Sequence, residues 1–233
     1  MFYIIGTPIG NMDDLSLRAA HTLASVDIIL TEDTRSFDVL WRRVVTMCEM
    51  SRLEIVNKPM IISYYKEVEF EKLPDIIDWL NNGKNIALVS EAGMPVISDP
   101  GQLLVSTVKK RDIPYTVIPG PSALDTALVI SGMKHDHCMF LGFLSRKEND
   151  IRKILEKIHA VHQSIKDTIF IAYDSPERIS ATTQIVKNLY PTAEVIIARE
   201  LTKKFEQIIN ASAPGVDLSQ IRGECVLLIR FTD

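Results

Sequence analysis

The first half of the chain alternates short apolar, β-branched runs with stretches of helical periodicity, and no other feature restricts its fold as strongly. "FYII" is followed by a helical stretch over about 15–26, "DIILT" by one from about Ser36, "MIISYY" by one over about 70–80, and then comes "NIALVS". Strands separated by single helices pair in parallel, and a parallel sheet needs helices on both faces. The first helix carries the pattern locally. Leu17, Ala20, Leu23 and Ala24 recur at helical spacing, and Asp14 or Ser16 can cap its start. A helix over about 102–110, the strand "YTVI" and the break "PGPSA" follow, and a further helix opens at Ser122.

Beyond about Met133 the texture changes. "HCMFLGFL", a charged helix over about 147–162, "TIFIAY", a helix over about 176–190, "EVIIAR", "KFEQII" and "ECVLLIRF" succeed one another. The last two strand-like runs have too little chain between them for a helical crossover, so an antiparallel pairing is expected there. These patterns predict two α/β domains, residues 1–114 with a parallel sheet and flanking helices and residues 115–233 with a mixed sheet. With 233 residues and 46 % apolar side chains, the chain has enough material for both cores.

No apolar run approaches the roughly 18 residues of a membrane span, and "MFYIIGTPIG" lacks the cationic start and long apolar stretch of a signal peptide. A cytoplasmic location, with no membrane partner, is expected. Cys48, Cys138 and Cys225 are scattered and odd in number, which suggests neither a disulfide framework nor a zinc site. His159 and His162 lie three apart with no third ligand nearby, so an exposed polar helix face is expected rather than a metal. A net charge of −4, from 26 basic against 30 acidic residues, argues against a surface that grips nucleic acid throughout. A local basic rim is still allowed.

Three stiff, small-residue loops follow strands of the first domain: "GTPIGN", "SEAGMPVISDPG" and "PGPSA". Ligands of open parallel sheets bind at the carboxyl ends of the strands, where these loops gather. Glycine lets backbone approach a ligand closely, and proline fixes the loop before the ligand arrives. None of the loops is a G-x-G-x-x-G fingerprint or a P-loop, and Ser122 lacks the G-x-S-x-G frame of a nucleophile elbow. "TEDTR", residues 31–35, ends the second strand with two carboxylates, a hydroxyl and an arginine. It reads equally as a helix start capped by Asp33 or Thr34 and as a functional group of Glu32, Asp33 and Arg35 on the same sheet edge.

The ordered motifs "GTPIGN", "TEDTR", "SEAGMPVISDPG", "PGPSA", "GFLSRK", "YDSPERI", "RELTKKFE" and "GECVLLI" together resemble the ribosomal RNA small subunit methyltransferase I family of the tetrapyrrole (corrin and porphyrin) methylase superfamily. The resemblance runs from residue 3 to about 229. It implies two α/β domains with S-adenosylmethionine in a cleft between them, a homodimer, and 2′-O-methylation of a cytidine ribose in 16S rRNA of the small ribosomal subunit. Cofactor contacts carried over on matching motifs are Pro8, Ala92, Gly93, Met94, Ile97, Ser122 and Ala123 from the first half, and Tyr173, Glu200 and Glu224 from the second.

A ribose hydroxyl is weakly acidic, so the implied reaction calls for a carboxylate base, Asp33 or, failing that, Glu32. Arg35, Arg146, Lys147, Lys203 and Lys204 are the expected contacts to RNA phosphates. Within these motifs the chain carries Glu91 and Met94 where the family reads Asp and Thr, Ser145 where it reads Pro, and Asp174 where it reads Glu. Two other readings are compatible with the same residues: methylation of a tetrapyrrole or a different RNA, and a non-catalytic member that binds S-adenosylmethionine or RNA.

Overall fold

The computed structural model describes residues 1–55 and 58–232. The chain forms two compact units, Met1–Ser122 and Ala123–Asp233. In the first, β1 (Phe2–Ile5), α1 (Leu17–Ser25), β2 (Ile28–Thr31), α2 (Thr34–Met50), β3 (Met60–Ser63), α3 (Glu69–Asn81), β4 (Ile86–Val89), α4 (Gln102–Lys110) and β5 (Tyr115–Ile118) follow one another. The strands form one parallel sheet in the order β3-β2-β4-β1-β5. Every residue of β2 and β4 is buried. A strand covered on both faces favours apolar side chains throughout, which is why "IILT" and "IALV" do not alternate.

The two faces carry separate cores. Ile5, Ile29, Ala87 and Val89 pack with Ala20, Leu23, Phe37, Leu40 and Val44 of α1 and α2. Phe2, Ile4, Ile86 and Leu88 pack with Ile76, Ile77, Leu80, Leu104 and Val108 of α3 and α4. The connection leaving β1 therefore crosses one face and the connection leaving its neighbour β4 crosses the other. Where neighbouring connections part in this way, a crevice opens outside the carboxyl ends of the strands. Of the two cap candidates for α1, Ser16 is the one used: its hydroxyl accepts the Ala19 N–H at 3.1 Å. The division between units falls after Ser122 rather than after residue 114, because β5 pairs with β1 along its whole length.

The second unit contains α5 (Ala123–Ser131), β6 (His137–Phe143), α6 (Glu148–Ser164), β7 (Thr168–Asp174), α7 (Pro176–Leu189), β8 (Glu194–Arg199), β9 (Gln207–Asn210) and β10 (Cys225–Arg230). Its mixed sheet has the order β6-β7-β10-β8-β9, with β6 and β7 parallel and the other neighbours antiparallel. The expected pairing of the last two runs is corrected. β10 enters between β7 and β8, and β9 pairs with β8 at the edge. Burial explains this: Cys225 to Ile229 are all buried and need neighbours on both sides, whereas β9 is exposed at both ends.

The expected exposed histidine face is also corrected. His162 is buried, its ring 5.7 Å from that of Phe231, and His159 packs on Tyr190 at 4.6 Å. Among the described residues, no helix is long and apolar enough to cross a membrane.

Candidate functional site

The three small-residue loops of the first unit meet at the carboxyl edge of its sheet. Thr7 and Gly93 exchange both backbone hydrogen bonds, Thr7 N–H donating to Gly93 O at 2.9 Å and Gly93 N–H to Thr7 O at 3.1 Å. The buried hydroxyls of Thr7 and Ser90 also donate to Gly93 O, at 3.3 and 3.0 Å. Gly6 and Gly120 cross so closely that a Cβ on Gly6 would lie 2.6 Å from Gly120 N, and one on Gly120 would lie 2.6 Å from Gly6 O. Glycine at both positions is thus a steric requirement of the crossing. Met94 extends the junction, its Sδ accepting the Gly120 N–H at 3.4 Å.

The expected first-unit contacts fall on or beside this crossing. Pro8 is buried within the first loop, Gly93 lies at its centre with φ +84°, and Ala92 and Ile97 are exposed on the second loop. Ser122 ends the third loop, and Ala123 begins α5 in the second unit. The second loop is contorted, with positive φ at Val96 (74°), Ser98 (66°) and Gly101 (119°). A β-branched residue in that region is an outlier of the kind that collects at ligand sites. Glu69 on α3 holds the end of this loop, accepting the Gly101 N–H.

Carboxylates gather at the same edge. Burial first, then the charges of Glu32 and Glu91, push the Asp99 carboxyl up to about 6, against a smaller lowering effect from Ser90. Burial and the charges of Glu91 and Glu67 likewise raise Glu32 above the ordinary carboxylate range. Ser36 on α2 donates to Glu91 Oε1 at 3.4 Å. Asp33 does something different: its Oδ1 accepts the Arg35 N–H at 2.7 Å and caps α2. Arg35 itself is exposed on the first turn of that helix. Asp99 was not singled out in the sequence, although it lies inside "SEAGMPVISDPG" with Glu91; Glu32 comes from the separate stretch "TEDTR", and only folding brings it to them.

In the second unit, Tyr173 packs edge-on against Phe140 and Phe143, with ring centroids 4.9 and 5.3 Å away. Asp174 is buried and fully engaged. It pairs with Arg178 at 2.6 Å and accepts the Thr182 hydroxyl at 2.6 Å and the Ser175 N–H at 2.8 Å. Glu200 and Glu224 converge on Lys203, whose Nζ lies 3.1 and 2.8 Å from their oxygens, and Glu200 Oε1 also accepts the Glu224 N–H at 3.0 Å. Burial raises the Glu200 carboxyl, but the Glu224 N–H and Lys203 together outweigh it and leave the group below its ordinary value. Lys203, expected at RNA phosphates, is thus paired with two carboxylates. Lys204, Arg146 and Lys147 are exposed, the last as the residue preceding α6. Among the described residues, no group of three or more His, Cys, Asp or Glu side chains is placed to hold a metal ion.

Three comparisons bear on this geometry. The sequence matches the family model described as Tetrapyrrole (Corrin/Porphyrin) Methylases over residues 1–216. The ribosomal RNA small subunit methyltransferase I of Hydrogenobaculum sp. (strain Y04AAS1) is 38% identical over 232 residues, covering 97% of this chain and 94% of that protein. Two solved structures share the fold. The methyltransferase CobJ superposes with a TM-score of 0.67 at 13% identity, covering 99% of this chain and 94% of the other. Uroporphyrin-III C-methyl transferase from Thermus thermophilus, complexed with S-adenyl homocysteine, gives 0.61 at 14% identity, covering 98% and 96%. The chain belongs to the tetrapyrrole methylase family and, within it, to the ribosomal RNA small subunit methyltransferase I group of methyltransferases.

Proposed function

We propose that the protein transfers a methyl group from S-adenosylmethionine to the 2′-hydroxyl of a cytidine ribose in 16S rRNA of the small ribosomal subunit. The observation that carries this reading is the three-loop crossing of Gly6, Thr7, Gly93 and Gly120 beside the carboxylates of Glu32, Glu91 and Asp99. The residues present fit the cofactor. Backbone N–H and C=O groups of the 92–97 stretch and the first loop suit its amino-acid and adenosine parts, and the carboxylates give a negative field for a sulfonium cation. When bound, S-adenosylmethionine supplies an already activated methyl group.

The chain's own residues then need to place the acceptor oxygen and take its proton. Of the two base candidates, Glu32 is the better placed to act. Its raised carboxyl gives it more affinity for a proton, while Asp33 is committed to capping α2. With the cofactor bound, the Glu32 carboxylate would accept the hydroxyl proton as the ribose oxygen takes up the methyl group. Arg35, Arg146, Lys147 and Lys204 meet RNA phosphates, which fix register without reading sequence. We also propose that the enzyme is a cytoplasmic homodimer.

Transfer of labelled methyl to unmodified 30S subunits tests the reading, with naked 16S rRNA and a porphyrin precursor as competing acceptors. Label on the subunits, recovered as an alkali-resistant 2′-O-methyl cytidine, is expected; label on the porphyrin alone overturns it. Within the same assay Glu32→Gln lowers kcat by roughly 10²- to 10⁴-fold, the usual range for a lost general base. Asp33→Asn, which keeps the cap, retains activity. The reverse pattern assigns the proton transfer to Asp33.

A further inference from the structure

We propose that Phe205 and Lys204 form a stacking platform for an unpaired nucleobase of the RNA, a role that rests on the substrate class proposed above. Phe205 is 65% exposed, and the Lys204 ammonium stands 5.7 Å from its ring centroid. The ring belongs to none of the buried clusters of its unit. Its loop is nevertheless tightly held. Lys203 bridges Glu200 and Glu224, the Thr202 N–H donates to Glu206 Oε2 at 2.7 Å, and Leu201 is anchored in the core. Two backbone bonds, Lys203 N–H to Glu200 O and Glu206 N–H to Lys203 O, both 3.0 Å, close the turn. The Glu200 carboxylate also packs against Gly223, where any Cβ would collide with it.

These restraints hold the turn, and Lys204 and Phe205 are exposed on it, next to Glu206, whose carboxylate is held by the Thr202 N–H. A preordered ring loses little entropy when a partner stacks on it. The charge beside the ring favours an anionic partner: Lys203 is paired with Glu200 and Glu224, Glu206 accepts the Thr202 N–H, and the Lys204 ammonium stands next to Phe205 itself. A ring face beside an ammonium matches an unpaired base and its phosphate, the combination by which single-stranded RNA is held. A purely apolar partner would have no use for the cation.

Phe205→Ala, Phe205→Leu and Phe205→Trp variants test the proposal. Phe205→Ala should keep wild-type thermal stability and calorimetric affinity for S-adenosylmethionine, while its KM for 30S subunits rises about 5- to 150-fold, the range measured for loss of one stacked base. Phe205→Trp should restore KM and report binding directly, its fluorescence quenched by a single-stranded oligocytidine RNA but not by the same strand annealed to its complement.

Equal quenching by the duplex would reduce the site to phosphate attraction and overturn the proposal. Phe205→Leu with unchanged KM would overturn it as well, as would Phe205→Ala that changes the oligomeric state by light scattering, which would make the ring a subunit contact. The fluorescence readout requires no methyl transfer, so a wild-type enzyme inactive on 30S subunits would sink the proposed reaction while leaving this test decisive.

Discussion

Asp99 shows at the level of one side chain how the site costs the fold stability. Its carboxyl, pushed up to about 6 by burial and by Glu32 and Glu91, loses its proton near 3.9 in the unfolded chain. Between those values the folded state holds a proton that the unfolded state has released, so this group's contribution to stability falls as pH rises from about 4 to about 6, and the penalty persists above. Asp99→Asn removes the penalty. The variant is expected to be more stable than wild type at pH 8 by about 1–2 kcal/mol, the pKa displacement discounted for solvent screening of a half-buried group, and equal to it at pH 4. Urea denaturation at the two pH values checks this; a gain of the same size at both would dismiss the ionisation as its cause. In the sequence Asp33 read equally as a helix cap and as a base, with Glu32 as the second candidate; the structure shows Asp33 capping α2, and no local mark separates the two. The choice depends on Glu91 and Asp99, more than 50 residues along the chain from Glu32.

The elements themselves were legible where their signals are local. α4 occupies Gln102–Lys110, within "GQLLVSTVKKR", because Gly101 at φ 119° breaks the chain before it and the apolar spacing of Leu104 and Val108 fixes its buried face. β10 was not placed, because strand order in a sheet is decided by partners far away in sequence. Its neighbours β7 and β8 begin at Thr168 and Glu194, and "ECVLLIRF" carries no mark of either. What the run does carry is unbroken apolarity, the signature of a central strand covered on both faces. The consequence is a gradient of sensitivity across the sheet. Leu227→Ala, at a fully buried position of β10 facing Phe170 and Ile197 in the core, is expected to cost about 2–5 kcal/mol, as buried leucine truncations do. Ile208→Ala on edge strand β9, only half-buried, should cost under about 1.5 kcal/mol. Chemical denaturation of the two variants measures the difference, and equal losses would contradict the central position of β10.

For the molecule as a whole, the proposed RNA substrate raises the question of how a chain of net charge −4 would engage a polyanion. Overall attraction is absent, so association depends on the few cations that reach phosphate, and their number is set by local pairing rather than by composition. The chain has 26 lysines and arginines, but the structure withdraws several of them: Lys203 serves Glu200 and Glu224, Arg178 serves Asp174, and Arg230 serves Glu194. Of the five cations first expected at the RNA, Lys203 is the one paired with two carboxylates, so the proposed phosphate contacts are Arg35, Arg146, Lys147 and Lys204. Each phosphate neutralised releases counterions, so log K should fall against log salt with a slope of roughly −0.7 per contact on single-stranded RNA, or about −3 for four. Doubling the salt concentration should then weaken binding to 30S subunits about eightfold. Filter binding across a salt series measures the slope, and Lys204→Gln should reduce its magnitude by about 0.7 while Lys203→Gln leaves it nearly unchanged. A slope of −6 or steeper would mean that the RNA reaches far more of the surface than these four side chains. A loss of slope in Lys203→Gln as large as in Lys204→Gln would mean that the ion triad opens on binding and returns its lysine to the RNA.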